Sequence, residues 1–72
     1  MVISYLKLWK LLLDKNMKKT DLIKVADIST TTLAKLSKNQ PVSMEVMRRI
    51  CDALSCDIGD VMEMISDKTS GD

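Results

Sequence analysis

Residues 19–38 read K-T-D-L-I-K-V-A-D-I-S-T-T-T-L-A-K-L-S-K, and the way this run divides decides the fold. Leu22, Ile23, Val25 and Ala26 recur at helical spacing and leave Lys19, Thr20 and Lys24 for a wet face. Leu33 and Leu36 stand three apart while Thr30, Thr31, Ala34, Lys35 and Lys38 point elsewhere, so the second pattern carries a single narrow apolar stripe. Between the two lies Asp27-Ile28-Ser29. Ser29 suits the start of the second helix because its hydroxyl can accept from the orphan amides of the first turn. Asp27 stands where the chain must leave the first helix, and Asp tolerates a left-handed backbone better than most residues, though less well than Gly. Ile28 is then expected to plug the elbow from inside.

A helix, a tight turn and a second helix with one polar face make a helix-turn-helix, whose second helix can enter a DNA major groove. The stretch resembles the helix-turn-helix of the lambda-repressor-like (Cro/CI, or XRE) family. Leu22, Ala26, Ile28, Ser29, Leu33 and Leu36 stand where that family has its buried positions and its cap. The family usually has a small residue at the position of Ile23 and a larger aliphatic at that of Ala26, a swap that can conserve core volume. It usually has Gly where Asp27 stands, which predicts some backbone strain at the turn. A second run, V-S-M-E-V-M-R-R-I-C-D-A-L-S-C-D-I-G-D-V at residues 42–61, is similar to the family's fourth and fifth helices. The resemblance spans about residues 6–64 and implies an all-α, compact five-helix domain with its helix-turn-helix at helices 2 and 3.

Working outward, Met1 to Tyr5 is apolar and β-leaning, too short for a strand alone, and expected to fray or pack on the core, or to pair with its own copy. Helix 1 is expected from about Ser4 or Leu6 to Lys15, with Asn16 closing it and Leu8, Leu11 and Leu12 facing the core. Trp9 and Leu13 form an i,i+4 pair beside that face, a candidate dimer surface if exposed. Lys18 and Lys19 open helix 2 against its macrodipole; a bound phosphate would reverse that penalty. Asn39-Gln40-Pro41-Val42 reads as a turn. Ser43 caps helix 4, Met44 to Leu54, with Val46, Met47, Ile50, Cys51 and Leu54 at core spacing and Arg48 and Arg49 solvating the outer face. Asp57 is expected to start helix 5, with Ile58, Val61, Met62 and Ile65 apolar. The whole is a single helix-turn-helix domain over residues 1–66, followed by a flexible C-terminal tail at 67–72.

Seventy-two residues allow one small core, of a size that often leans on a partner subunit. The formal charge is only +1, but it is unevenly spread. Residues 1–50 hold ten Lys or Arg against four Asp or Glu, and residues 51–72 hold one Lys against six acids. The helix-turn-helix thus lies in the basic half, and the acidic half is expected to face away from any polyanion. Two Cys, five apart in a chain without His, give neither a disulfide framework nor a zinc spacing. Cys51 fits an apolar stripe as a small hydrophobe. No apolar run approaches a membrane span and no signal-peptide pattern opens the chain, so a cytoplasmic protein is expected.

Catalysis has little to stand on: there is no His, no paired nucleophile and base, no Gly-rich phosphate loop and no clustered metal ligands. No enzyme activity, cofactor or metal is expected. If helix 3 enters the major groove, Thr30, Thr31, Ala34 and Lys35 are the residues that meet base edges. The threonines offer hydroxyls and methyls, Lys35 can donate to guanine, and Ala34 permits close approach. Thr32 turns inward. Arg, Asn and Gln are missing from this face, so discrimination per monomer should be modest and DNA shape or dimerisation must supply the rest. Lys19, Thr20, Ser29, Lys38, Asn39 and Gln40 are the candidate phosphate contacts. The leading reading is a transcriptional regulator of bacterial or phage type that binds double-stranded DNA as a homodimer. The alternatives are a protein-interaction module, or an antitoxin with an unidentified protein partner, that keeps the fold.

Overall fold

The computed structural model describes residues 1–66; the expected tail at 67–72 lies outside them. In order, the elements are strand β1 (Val2–Ser4), helices α1 (Leu6–Asp14), α2 (Lys19–Ala26), α3 (Thr30–Ser37) and α4 (Met44–Leu54), a 3-10 turn (Ile58–Asp60) and strand β2 (Glu63–Ile65). The α-helices pack around Leu8, Leu12, Leu22, Ala26, Ile28, Leu36, Met47, Ile50 and Leu54, closed by Tyr5 from the N-terminal side and Val61 from the C-terminal side.

Every α-helix ends in the same way. Asn16, Asp27, Asn39 and Ser55 have φ of 56°, 54°, 56° and 52°, the left-handed region that favours Gly. In each case the next residue's N–H reaches back to a carbonyl five positions earlier: Met17 to Leu12 at 2.8 Å, Ile28 to Ile23 at 3.3 Å, Gln40 to Lys35 at 2.9 Å and Cys56 to Cys51 at 3.0 Å. These are Schellman closures, which satisfy carbonyls that the helix itself leaves unpaired. Asn and Asp bear the left-handed conformation through their short polar side chains; Ser55 is the least suited of the four.

Helix starts follow the sequence. The Ser29 and Ser43 hydroxyls accept from the N–H of Thr32 at 3.1 Å and of Val46 at 3.2 Å. Lys18, which has no acceptor to offer, is rescued by Asp21, whose Oδ2 accepts the Lys18 N–H at 2.9 Å. That carboxylate also places negative charge where the α2 dipole favours it.

Two expectations fail at the chain ends. The fifth helix is absent: a single 3-10 turn gives way to β2, which pairs antiparallel with β1 in the register Val2–Ile65, Ile3–Met64 and Ser4–Glu63. Val61 satisfies the core from either conformation and is fully buried. Pairing with β1 then supplies residues 63–65 with main-chain partners that a short helix containing Gly59 would have had to find within itself. For Met1 to Tyr5 the expectation of packing on the core holds, with Ile3 against it and Tyr5 within it, while fraying does not, since β1 is paired with β2. Val25, expected among the apolar residues of α2, is half exposed, because Leu22 and Ala26 alone complete the stripe facing α4.

Tyr5 was not singled out by the pattern of the sequence, yet it ties the N-terminal segment to the residues that follow α3. It is buried, its main-chain N–H donates to Asn39 Oδ1 at 3.2 Å, and its hydroxyl donates to the Gln40 carbonyl at 2.8 Å. Burial raises its phenol pKa. Tyr5→Phe leaves that carbonyl without its partner and should lower stability by about 1 kcal/mol, read as a lower urea midpoint with an unchanged denaturant slope.

Candidate nucleic-acid interface

The α2–α3 pair is set at its angle by three features. Leu22 and Leu36 are fully buried beneath it, Ile28 fills the elbow, and Ser29 fixes where α3 begins. Ser29 Oγ also lies 3.0 Å from Thr32 Oγ1, so Thr32 is half-buried in the cap and turned inward as expected. Thr30, Thr31, Ala34 and Lys35 are all exposed and share the outer face of α3.

The six candidate phosphate residues divide into three settings. Lys19 and Thr20 are exposed on the first turn of α2, with the Lys19 ammonium 4.3 Å from the centre of the Trp9 ring. Such a contact holds a cation over the negative face of the indole. Ser29 is exposed, but its hydroxyl is engaged by the cap. Lys38, Asn39 and Gln40 lie exposed where α3 ends; Asn39 Oδ1 and the Gln40 carbonyl serve Tyr5, so those two residues already have a structural duty.

The candidate dimer pair is unequal. Leu13 is 73% exposed, whereas Trp9 is half-buried beneath Lys19. With Leu12, Met17, Lys18 and Lys19 they line a shallow groove of about 300 Å³. Other exposed apolar side chains, Met1, Val2, Leu6, Met64 and Ile65, lie on and beside the two-stranded sheet.

Arg49 was read in the sequence as a residue that merely solvates α4. Its Nη1 donates to the Asp27 carbonyl at 2.9 Å, and its Nε to Glu45 Oε2 at 3.0 Å. A side chain of α4 thus holds the main chain of the turn between α2 and α3. Arg48 binds the same Glu45 at 2.6 Å and Asp52 at 2.9 Å. The Glu45–Arg49 spacing of four was the signal available; the reach to Asp27 was not. Hydrogen bonds from Arg48 and then Arg49 hold the Glu45 carboxyl at a pKa of about 2.

Among the described residues no group of three or more His, Cys, Asp or Glu is placed to hold a metal ion, and no helix is long and apolar enough to cross a membrane.

Comparison with known proteins agrees with this geometry. The family described as the Cro/C1-type HTH DNA-binding domain matches residues 7–67, and the chain belongs to that family. The structure is similar to that of the transcriptional regulator VanUg, with a TM-score of 0.88 and 47% sequence identity over 92% of this chain and 88% of that one. No curated protein matches the chain.

Glu45 gives the turn a pH dependence. A carboxyl whose pKa is lower in the folded state stabilises the fold above its unfolded value, near 4.5, and loses that contribution as pH falls through about 2. Wild type should therefore exceed Glu45→Gln in urea midpoint at neutral pH, with the difference shrinking below about pH 4.5 and gone near pH 2. A difference that persists at the lowest pH would show that Glu45 acts by packing alone.

Proposed function

We propose that this protein is a transcriptional regulator that binds double-stranded operator DNA as a homodimer, with α3 in the major groove. The observation that carries this is the outer face of α3: Thr30, Thr31, Ala34 and Lys35 are exposed together on a helix fixed at its start by Ser29 and at its turn by Arg49. Lys35 is the one side chain there able to donate strongly to a base edge, and the threonines and Ala34 accept close approach to thymine methyls. Lys19, Thr20 and Lys38 supply phosphate contacts, with Asn39, Gln40 and Ser29 contributing through whichever polar atoms their structural bonds leave over. The protein works by binding rather than by catalysis, in the cytoplasm with the DNA it reads.

Binding of a random duplex pool, followed by fluorescence anisotropy, should weaken steeply as salt rises. Lys19→Ala should lower affinity for all sequences alike and reduce the salt slope by about 1, whereas Lys35→Ala should cost about 1–3 kcal/mol on the preferred sequence and relax the preference. No retention by DNA at low salt would favour the reading as a protein-interaction module or antitoxin.

For the homodimer, the exposed apolar side chains at Val2 and its cross-strand neighbour Ile65 support an interface at the two-stranded sheet over one at Trp9 and Leu13, since Lys19 already covers part of the indole. Ile65→Lys should give a monomer by light scattering while Trp9→Ala leaves a dimer; the opposite pair of results would place the interface on α1.

A further inference from the structure

The cations of this chain are held in two different ways. Both arginines are tied to carboxylates: Arg48 to Glu45 and Asp52, and Arg49 to Glu45 and, at 3.9 Å, to Asp27. Lys19 forms no ion pair among the described residues. Its ammonium lies instead 4.3 Å from the centre of the Trp9 ring.

The difference bears on how a polyanion is met. A carboxylate that fixes a cation also cancels its field, and an arriving phosphate must displace it. An aromatic face attracts a cation through its quadrupole and carries no net charge. Lys19 is thus confined with its charge intact, and because it is exposed it keeps N–H donors for a partner on the side away from the ring.

The ring is itself well placed to confine it. Trp9 is half-buried on α1, packs against the core, and shares its groove with Leu12, Leu13 and Met17. The left-handed Asn16 and the bond from the Met17 N–H to the Leu12 carbonyl at 2.8 Å end α1 and turn the chain back, which brings the first turn of α2 against this face of α1. A free lysine stem loses much rotamer freedom when its ammonium settles on a phosphate. Confinement over the indole takes that loss before DNA arrives, and a larger ready fraction raises the observed affinity in proportion.

We propose that Trp9 is a positioning residue for DNA binding: its indole face preorganises Lys19 at the first turn of α2 to meet a backbone phosphate. It acts through Lys19, strengthening binding to all sequences alike and adding no sequence preference. The inference rests on the reading of Lys19 as a phosphate contact.

The test is a double-mutant cycle on the full chain, read by fluorescence anisotropy with a pool of random duplexes across a salt series. Trp9→Leu, which keeps an apolar side chain and removes the π face, should weaken binding about two- to fivefold at an unchanged salt slope. In the Lys19→Ala background the same substitution should leave affinity unchanged. A fault of folding or assembly at position 9 would persist without Lys19, whereas positioning would not. Trp9→Phe should recover most of the wild-type affinity, since a phenyl face still attracts a cation. Proton NMR of the free protein gives a readout independent of DNA: ring current should shift the Lys19 ε-methylene protons upfield of those of the other lysines, and Trp9→Leu should abolish the shift. An equal loss with and without Lys19, or an unshifted Lys19 in the wild type, would overturn the proposal while the DNA-binding reading stands. Failure of the wild type to bind the pool at low salt would overturn both.

Discussion

The fold depends on ending helices abruptly without glycine. With Gly59 placed within the 3-10 turn, the four left-handed non-Gly positions among the described residues are Asn16, Asp27, Asn39 and Ser55. Each conformation is strained for a residue with a Cβ, and each is held by a Schellman hydrogen bond and by what packs over it. At Asp27 this constraint sets the relation of α2 to α3: Ile23 and Ile28 are brought together across the closure while Arg49 donates to the Asp27 carbonyl from α4. The orientation of the outer face of α3 is therefore a property of α2, α3 and α4 jointly, not of the turn alone.

A second constraint acts at the ends of the chain. A two-stranded sheet of three-residue strands is marginal by itself, yet here it connects to Tyr5, whose two hydrogen bonds tie it to the residues that follow α3. The β1–β2 sheet, the start of α1 and the end of α3 are consequently one mechanical unit. Lys7 adds to it by donating to the Gly59 carbonyl at 3.3 Å. The sheet is thereby tied to the segment that follows α3.

Charge is arranged with the same economy. Lys18 and Lys19 stand at the N-terminus of α2, where a cation is unfavourable. Asp21 and the Trp9 ring each compensate part of that cost, through the bond to Lys18 N–H and the 4.3 Å contact with Lys19. The positive groups are thus kept at the surface of the helix-turn-helix, while Asp52, Asp57 and Asp60 lie together at the end of α4 and the turn after it.

The sequence by itself determined the helix-turn-helix. The alternation of apolar and polar residues from Lys19 to Lys38, the Ser29 cap and the left-handed Asp27 are local, and local periodicity and side-chain chemistry settle them. So are the Ser43 cap and the buried stripe Met47, Ile50 and Leu54, and with them the exposure of Thr30, Thr31, Ala34 and Lys35. What tertiary structure decided lay where two readings satisfied the same apolar pattern. Residues 58–65 could bury Val61 as helix or as turn and strand, and the availability of β1 as a hydrogen-bonding partner chose the latter. Tyr5 and Arg49 owe their roles to contacts between distant segments. A main-chain acceptor 22 or 35 residues away leaves no trace in spacing, because the chain carries the same carbonyl at every residue and only the packed fold determines which one is within reach.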